Sequence, residues 1–242
     1  MNRRLLIAIL LSSSIAAADR RSFTYTYEYA TAPQGHTEVE LWHTQSRDSW
    51  KSSSPQRFEQ IVEIEHGITD HWDAAMYTVF KQVSAPDAAQ ARAFGLDSIR
   101  LESRYRFAER GAWPVDLVGY LEVAKDFGQG VYEIEAKAIA ARDFDRLTVA
   151  ANLIGEVAVG HDVAESELEL GFAGGATYEI SPKVRLGAES WGGHSEGQTQ
   201  VAVGPAVAVA PSSGFWLALT TGFGVTETSD KLSGRLILGL AL

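Results

Sequence analysis

The chain reads as an all-β protein: an antiparallel, up-and-down transmembrane β-barrel of about twelve strands, within a range of roughly 10–14. Three observations point there. Apolar and polar residues alternate along nearly the whole sequence, and short turn signals alternate with longer polar connections. The end of the chain, LSGRLILGLAL, sets Leu232, Leu236, Leu238, Leu240 and Leu242 on one face of a strand and Ser233 and Arg235 on the other. A period of 2 sends alternate side chains to opposite faces of a sheet. An apolar face that reaches the terminal carboxylate needs a cover. Lipid supplies one in a barrel whose first strand pairs the last.

The elements follow in order. Arg3 and Arg4, the apolar run Leu5 to Leu11 and the small residues Ala16-Ala17-Ala18 have the layout of a secretory signal over residues 1–18, cleaved after Ala18. The apolar run is too short to cross a bilayer, which takes about 20 residues. Residues 19–35 form an N-terminal periplasmic or barrel-mouth segment. Within it FTYTYEY (23–29) alternates, but it would make a thirteenth strand. The barrel occupies 36–242.

Along the barrel, Phe58, Val62 and Ile64 oppose Glu59, Glu63 and Glu65, while Ile99, Leu101, Tyr105 and Phe107 oppose Arg100, Glu102, Arg104 and Arg106. Val115, Leu117, Leu121 and Val123 oppose Asp116, Tyr120 and Glu122, and Tyr132, Ile134, Ala136 and Ala138 oppose Glu133, Glu135 and Lys137. Leu168, Leu170 and Phe172 oppose Glu167 and Glu169, and Val184, Leu186 and Ala188 oppose Arg185 and Glu189. No stretch keeps the spacing of an amphipathic helix. Short turns fall at 69–73, 110–114, 143–146, 181–183 and 211–214, and longer connections at 46–55, 83–94, 126–130, 160–166, 192–197 and 227–230. Five turns and six loops separate twelve strands, an even number, so both ends lie on the short-turn, periplasmic side. Trp42, Trp72, Trp113, Tyr178, Trp191, Phe215 and Trp216 sit near run ends, as aromatic girdles do. A soluble β-sandwich also alternates, but it would need the longer crossovers of a Greek key, which this meander lacks.

Composition limits function. Removing residues 1–18 takes away two arginines and no acids, moving the net charge from −10 to −12, which disfavours nucleic acid as a partner. With no cysteine there is no thiolate nucleophile and no Cys-ligated metal. The histidines show no close metal-ligand spacing. Ser195 follows His194 in a loop without a GxSxG motif, so no catalytic residue, metal or cofactor is expected. GFAGG (171–175) lies in a strand and lacks the helix of a phosphate loop, so its small residues serve barrel curvature.

If the apolar face meets lipid, the charged face lines the lumen. The expected pore-lining residues are Glu63, Glu65, Arg100, Glu102, Arg104, Arg106, Glu122, Glu133, Glu135, Glu169, Arg185 and Glu189. Glu38, Glu40, Glu59, Asp116, Glu156, Glu167, Glu179, Arg57, Lys137, Arg146 and Arg235 join them on that face. Arginines on one strand between glutamate-rich neighbours either brace a narrow barrel or line a water-filled pore, and the excess of acid favours weak cation preference. The expected function is a narrow channel or transporter for small solutes, with a non-conducting structural or surface-interaction barrel as the alternative and a lipid-modifying outer-membrane enzyme behind it. Leu101, Leu117 and Leu238 face lipid.

Apolar residues at the last, third-last and fifth-last positions resemble the C-terminal signature of Gram-negative outer-membrane proteins, with Leu242 where that family has Phe or Trp. FTYTYEYATAPQGHTEVELW (23–42), GITDHWD (67–73) and YEISPKVRLGAES (178–190) resemble Gram-negative barrels related to the phenol-degradation MetA-like outer-membrane family. The resemblance implies a cell outer-membrane barrel that passes small organic molecules. The partners expected of such a barrel are outer-membrane lipid, the outer-membrane assembly machinery and a small-molecule solute.

Overall fold

The computed structural model describes residues 20–51, 53–128, 130–160, 168–195 and 197–242. The expected signal, most of the 160–166 loop and Glu167 lie outside the described residues. Twelve antiparallel strands close into one barrel. They are β1 (Thr37–Arg47), β2 (Gln56–Thr69), β3 (Trp72–Ser84), β4 (Arg92–Arg106), β5 (Asp116–Asp126) and β6 (Tyr132–Phe144). The second half comprises β7 (Leu147–Val159), β8 (Leu168–Ser181), β9 (Val184–Ser195), β10 (Gln198–Val209), β11 (Phe215–Gly224) and β12 (Leu232–Ala241). Each strand pairs its sequence neighbours, and β12 pairs β1 from Glu38↔Ala241 to Arg47↔Leu232. That seam satisfies the backbone groups an open sheet would leave unpaired, the condition for placing strands in hydrocarbon. Strands of 10–15 residues suffice to cross a bilayer at a tilt.

The alternation resolves into two surfaces. On the outside lie Leu41, Leu101, Leu117, Leu121, Leu153 and Leu170, all exposed, with Leu101 at 60% and Leu153 at 71%. Leu238 pairs with Leu41 on the same face, opposite the fully buried Ile237. Trp72, Trp113, Tyr178 and Phe215 are exposed near the short-turn end. The inside is polar and charged, with Glu40, Glu63, Glu65, Asp73, Glu102, Arg104 and Glu189 buried. Among the described residues there is no helix.

The aromatic girdle needs one correction. Trp42 and Trp216 are buried, and Trp191 points inward beside Tyr25. Their parity places them inside, where the Trp42 indole N–H donates to Glu40 Oε2 at 2.7 Å and that of Trp216 donates to Glu38. A polar tip with a carboxylate partner is what lets a large ring sit in a charged interior. Arg146 also differs from expectation: it lies in the β6–β7 turn, donating to the Ile180 carbonyl at 2.7 Å.

Candidate functional site

The interior charges are organised around β4, whose inward positions are Arg100, Glu102, Arg104 and Arg106, and whose Arg100 and Arg104 face carboxylates supplied by β2, β3, β4 and β5. Arg104 is 3% exposed and bonds Asp73 through Nη2 at 2.7 Å and Nε at 3.2 Å, with Glu102 at 3.1 Å and Glu65 completing its shell. Arg100 meets Glu122 at 3.2 Å, and Lys137 meets Glu135 at 2.8 Å. The Tyr120 hydroxyl donates to Glu122 at 2.7 Å, and that of Tyr77 to Glu102. Buried charges persist only where partners replace the lost water, and a guanidinium fork with several carboxylates does so.

Register makes one feature explicit. Glu102, Glu122, Glu135, Glu156 and Glu169 are successive cross-strand partners on β4, β5, β6, β7 and β8. Like charges directly opposite repel. The first three have the cations and hydroxyls just described. Glu156 and Glu169 have no hydrogen-bond or ion-pair partner among the described residues. Both line a cavity of about 360 Å³ toward the long-loop end.

The lumen is not empty. The segment expected to be a periplasmic or barrel-mouth piece over 19–35 is described from residue 20, and residues 20–35 run into the barrel and back out as a non-strand loop before β1 begins. Its tip is held by Glu189 on β9, which accepts from the backbone N–H of Thr24 (2.9 Å), Tyr25 (2.9 Å) and Thr26 (3.0 Å), from Thr24 Oγ1 (3.0 Å) and from Thr220. Asn152 on β7 clamps Tyr27 at both ends, accepting from its N–H at 2.7 Å and donating to its carbonyl at 2.9 Å. Tyr25 is sandwiched between the Trp191 ring at 3.7 Å and the Arg235 guanidinium at 4.2 Å. Arg21 pairs with Glu40 at 3.0 Å and Glu63 at 3.5 Å.

The returning arm is equally tied. Ala32 N donates to Asp73 at 2.8 Å and Glu65 at 3.2 Å. Burial, and then the nearby Glu102 carboxylate, push the Tyr27 phenol up to about 12, so it stays a neutral donor to Glu102. Gly175 is where the barrel makes room. A Cβ there would come within 2.5 Å of the Phe23 ring, so this small residue of GFAGG admits the loop as well as shaping the wall. Cavities of about 640 Å³ at the short-turn end and about 390 Å³ toward the long-loop end flank this loop. The first is lined by its residues Arg20–Ser22 and Glu28–Thr31, the second by its tip, Tyr25.

All twelve residues expected to line the lumen fall on the inward face. Glu63, Glu65, Glu102, Arg104, Glu122 and Glu189 are buried, and Arg106 and Arg185 reach the N-terminal loop through Thr31 Oγ1 (2.7 Å) and Ser22 Oγ (3.2 Å). Arg100 lies at the middle of its strand, and Glu133, Glu135 and Glu169 lie in the long-loop half of theirs. Sequence reading missed Arg21, Tyr27, Asp73, Tyr77 and Asn152. Asp73 was read as part of a turn, and the inward parity of Tyr77 and Asn152 would have revealed them once β3 and β7 were set in register. His194, at the end of β9, bonds Thr199 Oγ1 at 2.9 Å on the outer face. Among the described residues no three His, Asp or Glu side chains gather as a metal site.

No family model matches the sequence, and no curated protein does either. Solved structures do. The COG4313 outer membrane channel from Pseudomonas putida F1 superposes with a TM-score of 0.71 at 12% identity, covering 88% of this chain and 98% of that one. The KdgM porin in complex with disordered oligogalacturonate gives 0.59 at 8% identity, over 84% and 97%. The NanC porin gives 0.59 at 8% identity, over 84% and 98%. At these identities the likeness is one of fold: this chain has the fold of outer-membrane barrels.

Proposed function

We propose that this protein is an outer-membrane channel for small solutes, narrowed by its own N-terminal loop. One observation carries the reading: a closed barrel with a charged interior and a cavity at each end, separated by residues that belong to no strand. A barrel meant only to be solid could fill its lumen with side chains from the wall, as small barrels do. Here the filling is a separate segment tied by hydrogen bonds and ion pairs, which can leave without breaking a ladder. The fold neighbours support the reading, being described as an outer membrane channel and porins. Channel activity is favoured over enzymatic activity because His194 and Ser195 stand at a strand end, His194 bonds Thr199 Oγ1, and neither has an acid partner among the described residues. Glu156 and Glu169 at the long-loop end, which have no ion-pair partner among the described residues, give weak cation preference.

A second reading, a closed structural barrel, draws on the Arg104 cluster, which braces β2, β3 and β4 across the lumen. Planar-bilayer recording separates the two. The channel reading expects small, weakly cation-selective steps from the full chain, larger steps when residues 20–30 are deleted, and loss of selectivity in Glu156→Gln/Glu169→Gln. Folded protein that gives no steps with or without the deletion is the closed barrel.

A further inference from the structure

We propose that the short-turn cavity binds a small organic anion, a carboxylate with a short apolar body, and that filling it holds the N-terminal loop in place. Its volume of about 640 Å³ is that of a ligand site. Six cations line it, Arg20, Arg21, Arg106, Arg110, Lys183 and Arg185, against four acids, Glu28, Asp70, Glu109 and Glu179. That local excess of two positive charges sits in a chain of net charge −10.

Half of those cations are already committed. Arg21 is paired with Glu40 and Glu63, Arg110 with Asp143, and Arg185 with Glu179 at 3.3 Å. Of the acids, Glu109 is taken by His71 at 2.7 Å. Arg20, Arg106 and Lys183 meet no carboxylate among the described residues. Arg106 donates to Thr31 Oγ1 and the Asp70 carbonyl, Lys183 to the Pro211 carbonyl at 2.9 Å, and Arg20 Nε is buried with no acceptor among the described residues. Guanidinium groups held on neutral acceptors gain most from a carboxylate, which they bind through two parallel bonds. Trp216, Val209, Ala210 and Pro33 supply apolar wall for the rest of such a molecule. Bare phosphate would leave that wall wet. The acidic long-loop end repels the same anion, so it arrives from the short-turn side.

The cavity has two owners. Arg20–Ser22 and Glu28–Thr31 belong to the loop, while Arg106, Arg110, Lys183 and Arg185 belong to the barrel. A molecule touching both binds only while the loop is seated, so by linkage it shifts the population toward the seated state. This consequence for regulation rests on the channel reading, whereas the binding itself does not.

Equilibrium dialysis of the full chain in detergent, with hexanoate as the probe, tests the site. Hexanoate should bind saturably and hexylammonium should not. Arg106→Gln/Lys183→Gln should weaken hexanoate at least tenfold, with the heat-dependent gel shift showing that the variant is folded. Arg106→Lys, which keeps the charge and loses the fork, should fall between. In bilayers hexanoate should lower the current of the full chain from one side only. Absent hexanoate binding, an unchanged double variant, or phosphate binding as tightly as hexanoate overturns the proposal. Binding without any current from any variant leaves the site and removes the channel reading. Current without binding does the reverse.

Discussion

Glu189 carries more of the N-terminal loop than any other side chain described here, because one carboxylate satisfies three consecutive backbone N–H groups and two hydroxyls. Those N–H groups are turned away from any ladder, and buried donors without acceptors cost about 1–3 kcal/mol each. In Glu189→Gln one oxygen becomes an NH₂ that faces donors. The loop should lose about 2–3 kcal/mol of local stability. Amide hydrogen exchange at Thr24, Tyr25 and Thr26 should then run roughly thirtyfold to a hundredfold faster, with the strands unaffected. Exchange rates that do not move would assign the loop's hold to the Tyr25 sandwich and the Asn152 clamp. Glu189 was legible as an inward residue from the alternation Val184-Arg185-Leu186 onward. Its partner was not, because Thr24 lies 165 residues away and no local pattern reports so distant a pairing.

At the scale of elements, β4 offers a direct comparison of the two faces. Leu101→Arg places a charge on the outer surface and should cost about 2–4 kcal/mol near the bilayer midplane. Arg104→Met removes the cation shared by Glu65, Asp73 and Glu102, leaving buried carboxylates uncompensated at about 3–5 kcal/mol. Urea unfolding in lipid vesicles measures both, and a neutral Leu101→Arg would reverse the face assignment. Strands such as β4, β5 and β6 were readable because their inner face is charged and their outer face apolar, which makes the period visible. β7 and β10 were not read that way, for a physical reason. Their inward residues include Ala150, Ile154, Ala202, Ala206 and Ala208, small or apolar because they pack against rings such as Phe23, Tyr27 and Trp216. With both faces apolar the alternation fades. The same fact hid the plug: a lumen lined by alanine on one side is a lumen already occupied.

At the scale of the molecule, the N-terminal loop touches β1 and β2 through Arg21, β3 and β4 through Tyr27, β7 through Asn152, β9 through Glu189 and β12 through Arg235. The Arg235 bond to the Thr24 carbonyl joins positions 211 residues apart in sequence. Contacts of such separation form late, after the chain between them has been organised. The segment nearest the beginning of the described chain is therefore the last to find its place, and only a fully closed ring presents all of its partners at once. Seating of the loop becomes a checksum on assembly: a barrel with one strand slipped or the β1–β12 seam open has no complete binding site for its own beginning. In refolding, the compact form on a cold detergent gel should appear before the fluorescence change that marks Tyr25 stacking on Trp191. If the two arise together, the loop is instead a template around which the strands close.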